Sequence, residues 1–434
     1  MSNFHFGKYA IKQITYMINI HFKNKIKKSL IFLIPIVFMA FNVSAQSVNV
    51  VIGKVISDDK GEGVEEVTIT WKNKGINSVT NNDGEFKIVL PDSYTQSDSL
   101  TFSCIGYYSK NIDIHSALIN KFNTIRLNTS VENLKEVVVK ALTLKQLLDS
   151  AINHNNKTFV SPMDLHGYYR EFAYVNLRCT EYSDALCEYY ANTDPVNKRS
   201  IGQLKINASR CIIEKKESKD RHNAEIDLPS NIDANVAFSY AFLSETIKKY
   251  FPEKNLIYYK YNLEQSDLNA DDIRVTIYPK EHTIDAIYKL TLYLNNDFTL
   301  RSYHLEIPDD FLNMVKDRSL LGIHVKSTKL DIKVNYLQFH GGIYPNHFAI
   351  IKGDTIQGKM LGATFNEEEI NKSEFVVTQI SSGNDLKPFS KNEIYKKGNI
   401  CANGIAMSDS LLRKFTIIKP SSKDSLAIKS IEHE

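Results

Sequence analysis

Asn81-Asn82-Asp83-Gly84-Glu85-Phe86-Lys87-Ile88-Val89-Leu90-Pro91 reads as a turn followed by a strand. Gly, Asn and Asp tolerate positive φ, so the first four residues predict a hairpin turn. Phe86, Ile88 and Leu90 then alternate towards one face, and Pro91, lacking an N–H, stops the strand. The same grammar extends outward. Val48 to Ile56 reads as a strand, and Asp58-Asp59-Lys60-Gly61 as a turn. Val64 to Trp71 alternates, with Val67, Ile69 and Trp71 on one face. Leu100, Phe102 and Cys104 start another strand that ends near Gly106, and Ile112–Ile114 and Ile125–Leu127 close the set. Short strands punctuated by turns about every ten residues predict a β-sandwich over residues 46–130 with its own core.

These residues carry a resemblance. Val51-Ile52-Gly53-Lys54-Val55, Gly63 to Ile69, Thr80 with Asp83-Gly84-Glu85-Phe86, and Leu100 to Tyr107 follow in an order similar to the carboxypeptidase-regulatory-like domain, a transthyretin-like sandwich. Glu65-Glu66 departs from the family, which more often has Gly-Val or Ala-Val there. The resemblance implies a structural or interaction module without catalytic residues of its own. Leu134-Lys135-Glu136-Val137-Val138-Val139 resembles the segment that joins such modules to the plug of TonB-dependent receptors. No plug or large barrel follows, so residues 131–141 are read as a linker strand.

Beyond the linker, the period changes. Leu144, Leu147, Leu148, Ala151 and Ile152 share one helical face. Thr143 and Gln146 are spaced for a capping box, and Asn153 to Asn156 read as the end of the helix. Phe238 to Phe251 reads as a second helical stretch, and Lys215 to Asp227 as an exposed loop. Residues 165–380 are otherwise strands, including Ile273–Tyr278, Tyr288–Leu294, Leu300–Ile307, Lys329–Phe339 and Phe348–Ile351. Asn295-Asn296-Asp297 and His340-Gly341-Gly342 supply turns between them. The first helix and the Tyr168-Tyr169-Arg170-Glu171 strand resemble a family of exported proteins with a sandwich before an uncharacterised domain. The run from Asp271 to Ile307 is similar in pattern to the curved sheet of lipoprotein-carrier proteins. The expected fold is mainly β: an N-terminal sandwich, a helix packed through its leucines, and a large antiparallel half-barrel sheet with an apolar concave face. Residues 142–419 form the helix-plus-β domain in this reading, and 420–434 a polar tail.

The first 45 residues hold six lysines and no acid, then an apolar run from Leu30 to Phe41, then Val43-Ser44-Ala45. That is the pattern of a cleaved signal peptide, with Gln46 as the new terminus. The apolar run is shorter than the ~20 residues that a membrane helix needs, and no later run reaches that length. No transmembrane span is expected after cleavage. Without the six leader lysines, 47 basic residues face 50 acidic ones, which offers nucleic acid no general attraction. The five cysteines, Cys104, Cys179, Cys187, Cys211 and Cys401, include no CxxC. Their odd number leaves at least one thiol free, and the pairing stays open, Cys179 and Cys187 being near enough in sequence to join.

Candidate chemistry is sparse. His222-Asn223-Ala224-Glu225 has the HxxE spacing with which zinc carboxypeptidases hold their metal. With 12 histidines and 50 acidic residues, one such match is expected by accident, and it falls in the most charged loop. Gly353 to Lys359 follows most of a phosphate-loop pattern, but Met360 stands where Ser or Thr must hold magnesium. A hairpin turn between Phe348–Ile351 and Met360–Phe365 accounts for both glycines. His166, Tyr168 and Arg170 share one strand face, and Tyr169 and Glu171 the other, which predicts a polar ladder. The pairs Tyr107-Tyr108, Tyr168-Tyr169, Tyr189-Tyr190 and Tyr258-Tyr259 each predict one ring inward and one outward. The expectation is a non-enzymatic envelope protein without catalytic residues, metal or cofactor. Its partners are envelope proteins or an apolar or peptide ligand. The alternative is a zinc peptidase using His222 and Glu225.

Overall fold

The computed structural model describes residues 48–432 except 96, 116–117, 131–133, 137–141, 195–198, 215–231, 267–271, 282, 321 and 361–362. Residues 1–47, which include the expected signal peptide, and residues 215–231, which include His222 and Glu225, lie outside the described residues.

Seven strands build the sandwich: β1 (Asn49–Ser57), β2 (Thr68–Trp71), β3 (Ile76–Val79), β4 (Glu85–Leu90), β5 (Ser99–Ser103), β6 (Lys110–Asp113) and β7 (Phe122–Leu127). One sheet runs β4-β1-β7, with β1 and β7 parallel. The other runs β3-β2-β5-β6. Val67, Ile69, Trp71, Phe86, Ile88 and Phe102 meet between them, all at most 1% exposed. Phe86 and Phe102 pack edge-to-face at 5.5 Å.

The Asn81–Gly84 turn corrects the hairpin expectation. β3 pairs with β2 and β4 with β1, so this turn carries the chain from one sheet to the other. The local chemistry is as read: Asn81 Oδ1 accepts the Asp83 and Glu85 amides at 3.0 and 2.8 Å. Turn residues fix a local reversal, whereas pairing is decided by which faces must meet. Gly84 has φ 78°, and a Cβ there would lie 2.4 Å from the Val55 carbonyl oxygen. Gly84→Val is expected to lower stability by more than about 1 kcal/mol. An unchanged denaturation midpoint would show that the position carries no such constraint.

The second part begins with β8 (Leu134–Glu136) and α1 (Leu144–Thr158). Thr143 and Gln146 form the reciprocal capping box. The helix continues through Asn153–Asn156 to Thr158, beyond its expected end. Asn155 is buried and Phe159 is anchored in the core, so packing outweighs the weak propensity of the asparagines.

The remaining strands are β9 (Met163–Val175), β10 (Arg178–Asp194), β11 (Arg199–Ile213), β12 (Tyr259–Ser266), β13 (Asp272–Pro279), β14 (Lys289–Asn295) and β15 (Leu300–Glu306). They continue with β16 (Arg318–Leu320), β17 (Ile323–Phe339), β18 (Gly342–Met360), β19 (Ala363–Ser382) and β20 (Ile405–Ala406). Their pairings give the order β20-β11-β10-β9-β19-β18-β17-β15-β14-β13-β12-β8, antiparallel except at β20. No pairing among the described residues joins the two ends of this order, so the sheet is large, antiparallel and open. Alternation sets its faces: Leu330, Ile332, Val334 and Tyr336 of β17 are buried while Asp331, Lys333 and Asn335 are only partly covered.

Helices α2 (Ala234–Ser239) and α3 (Leu243–Tyr250) lie on the inner face. They correct the expectation of an apolar face left open. Phe238 sits 4.6 Å from the rings of Tyr189 and Phe375 and 5.2 Å from Phe348. Tyr303 donates to the Tyr240 carbonyl at 2.5 Å and Tyr336 to that of Ala241 at 2.9 Å. Leu144, Leu147 and Leu148 join this core and not that of the sandwich, as expected.

The chain from Gly383 onward adds Tyr395 and Ile400 to this inner core and then returns over the outer face. Cys211 of β11 is disulfide-bonded to Cys401. Helix α4 (Asp409–Leu412) follows, and Met407, Leu412 and Ile418 pack with Val79, Tyr168 and Val376. Residues 422–432 are no loose tail: α5 (Ser422–Glu432) places Ile431 against Phe172, Cys179 and Tyr182. Ser421 and Asp424 cap α5 reciprocally at 3.1 Å. This strap also binds the sandwich. Lys87 Nζ donates to the Leu412 and Arg413 carbonyls, the Val89 amide to Thr416 Oγ1, and Asn81 Nδ2 to the Lys419 carbonyl.

Candidate functional site

Because the strap covers one face of β9 and the helices cover the other, the tyrosine pairs there depart from expectation. Tyr168 and Tyr169 are both 1% exposed, and Tyr189 and Tyr190 are both buried. Tyr258-Tyr259 keeps one ring exposed and one buried.

The same double cover turns the expected ladder into two separate buried networks. On the strap side, Arg170 Nε and Nη2 grip Glu374 at 2.8 and 2.7 Å. Its Nη1 reaches Asp424 of α5 at 3.4 Å and the Lys419 carbonyl at 3.3 Å. His347 Nε2 holds the other oxygen of Glu374 at 2.9 Å. Burial raises the Glu374 carboxyl, but Arg170 and His347 overcome it and hold it at about 2. Beside them, Tyr168 and Tyr182 donate to Asp184, which Arg210 clamps. On the helix side, Glu171 accepts from Tyr169 at 3.0 Å, and burial pushes its carboxyl up to about 8. Arg170 and Glu171 therefore face opposite sides of the sheet and cannot act on one substrate atom. His166 stands apart near the surface, 3.7 Å from Asp164 and 4.0 Å from Glu188.

Glu171 has a pH consequence. Its folded value lies above the ordinary 4.5, so the folded state keeps a proton that the unfolded chain releases. That stability is present at acid pH and is lost as pH rises through about 8. Glu374 works oppositely, its contribution vanishing as pH falls towards 2. Glu171→Gln is expected to remove more than about 1 kcal/mol of stability loss between about pH 5 and pH 8. Urea midpoints at the two pH values measure it, and an unaltered pH slope in the variant would contradict the assignment.

The other sequence candidates are not brought together. Gly353 to Lys359 lies within the continuous strand β18, paired to β17 and β19 on both sides. This corrects both the phosphate-loop pattern and the hairpin turn set against it; a fully paired strand presents no cradle of amides. Cys179 and Cys187 are free and buried, and Cys104 is free. Among the described residues, no group of three His, Cys, Asp or Glu side chains is placed to hold a metal.

A cleft of ≈ 500 Å³ opens at the β12 end of the sheet. The first turn of α1 gives Thr143, Leu144 and Lys145; a 3-10 turn, Glu253–Tyr258, gives Glu253, Leu256 and Ile257. Tyr259, Lys260 and Tyr261 of β12 and Lys280 complete it. Tyr261 Oη donates to the Leu142 carbonyl at 2.7 Å, fixing α1 to the strand. Lys145 lies 3.0 Å from Asp149 and 3.7 Å from Glu253. Lys280 Nζ donates to the Ile257 carbonyl at 2.8 Å, and Lys260 Nζ sits 4.8 Å from the Tyr278 ring centre. Ile257 is 66% exposed at the mouth. Sequence reading missed this cleft; its one local signal is the apolar pair Leu256-Ile257 stranded in a charged stretch after Pro252.

Residues 51–139 match the CarboxypepD_reg-like domain family. No curated protein matches the chain. Among solved structures, a LolA superfamily protein of Nitrosomonas europaea is 10% identical, with 59% of this chain and 99% of that one covered and a TM-score of 0.20. A DUF1329 family protein of Desulfovibrio piger is 9% identical, covering 57% and 96%, with a TM-score of 0.23. A lipovitellin structure concerned with lipid–protein interactions is 8% identical, covering 55% and 27%, with a TM-score of 0.23.

Proposed function

Starting from a CarboxypepD_reg-like domain at residues 51–139, we propose that this chain is a non-enzymatic binding protein of the bacterial envelope. The sandwich makes protein contacts, and the β-rich part holds an apolar ligand in the cleft at β12. The observation that carries this reading is the cleft itself: apolar walls, an uncovered isoleucine and a volume within the roughly 300–1,000 Å³ of small-molecule sites. The buried ionisable groups argue in the same direction. Arg170 and Glu374 are held by each other, His347 and the strap, and Asp184 by Tyr168, Tyr182 and Arg210, which suits a structural role.

Export is part of the proposal. The amino-terminal 45 residues act as a signal peptide, and residues 46–130, 131–141 and 142–419 are the sandwich, linker and ligand-holding part. The Cys211–Cys401 disulfide supports an oxidising compartment. No helix among the described residues is long and apolar enough to cross a membrane.

Two readouts on purified protein separate this from the peptidase alternative. The full chain is expected to carry no stoichiometric zinc and to bind a neutral apolar dye such as Nile red at one site that Ile257→Asp removes. Stoichiometric zinc lost on His222→Ala, with no dye site, would replace the binding reading by the peptidase one.

A further inference from the structure

We propose that the cleft at β12 takes a long-chain carboxylate: one acyl chain with a single negative charge at its end. The inference rests on the apolar-ligand reading above and adds the charge and the number of chains. The apolar part of the cleft is compact. Leu144 and Leu256 line it beside the rings of Tyr259 and Tyr261, and Ile257 stands uncovered at the mouth. At ≈ 500 Å³ it sits in the lower half of the range for single small molecules, room for one chain.

The polar part of the cleft is cationic. Lys145, Lys260 and Lys280 line it against one acid, Glu253. An apolar slot ringed by cations complements an amphiphile with an anionic head, because the chain is desolvated on the walls while the head stays at the wet rim. Lys145 adds a second reason. It occupies the first turn of α1, where no acidic residue is found. A cation there opposes the positive end of the helix dipole, and a bound anion would relieve that repulsion. A neutral chain would use the walls alone and leave the lysines to their present partners, Asp149 and Glu253, the Ile257 carbonyl and the Tyr278 ring. An acidic peptide would use the lysines but leave Ile257 and Leu256 in contact with a polar backbone.

The test is calorimetric titration of the full chain with dodecanoate and, in parallel, with dodecan-1-ol, which has the same chain and no charge. Dodecanoate is expected to bind one per chain and at least about tenfold more tightly than the alcohol. Replacing Lys145→Gln together with Lys260→Gln should weaken dodecanoate by about tenfold and leave the alcohol unchanged. Both substitutions are at exposed positions; circular dichroism checks the fold, and Lys280→Gln serves as the second variant. Equal affinity for acid and alcohol would overturn the charge assignment and leave the apolar-ligand reading standing. Binding of neither, or of an acidic peptide alone, would overturn both.

Discussion

Arg170→Ala is expected to lower the free energy of unfolding by about 3–5 kcal/mol, the range for removing one partner of a buried ion pair. Arg170 is 3% exposed and is shared between Glu374 on β19 and Asp424 on α5. Removing it strands two carboxylates under the strap, and the cost comes from their desolvation more than from the lost attraction. Arg170→Lys should recover little, because one ammonium cannot reproduce the two bonds that converge on Glu374 Oε2 and still reach Asp424. Guanidinium denaturation of the wild type and both variants measures the effect. A loss below about 1 kcal/mol in the alanine variant would mean that the strap does not bury these charges.

Cys401→Ser is the second large effect. The disulfide links positions 190 residues apart, and for a loop of that length the chain-entropy account gives about 5 kcal/mol as an upper figure. The loss should appear first in the strap. Tyr395 donates its amide to the Leu204 carbonyl and Met407 to that of Ser209, both on β11 and both flanking Cys401. Hydrogen exchange should therefore accelerate most at Tyr395 and Met407 in the variant, beyond the smaller acceleration that the global loss imposes on β17 and β18. Uniform acceleration across the sheet, or none anywhere, would contradict the view of the disulfide as a local fastener of the strap.

The sandwich and the first helix were legible because each obeys a local rule. Alternation at Val67, Ile69 and Trp71, and the Thr143–Gln146 capping box, need no knowledge of distant residues. The strands of the large sheet were legible for the same reason. What escaped reading depends on contacts far apart in sequence. The Asn81–Gly84 turn looks alike whether its flanking strands pair or cross between sheets. Residues 422–432 read as polar because only one stripe is apolar, and that stripe matters only once Phe172 and Tyr182 are beneath it. The burial of Arg170 and Glu171 follows from two covers, strap and helices, that arrive from later in the chain. The cleft at β12 joins the start of α1, a 3-10 turn and strand β12, three segments with no shared motif.

Native mass spectrometry of the protein isolated from the cells that make it tests the central claim most directly. Binding predicts a population carrying one acyl-chain ligand of stoichiometry one, absent from Ile257→Asp. A chain that emerges bare in both forms, or that carries zinc in place of a lipid, would contradict it.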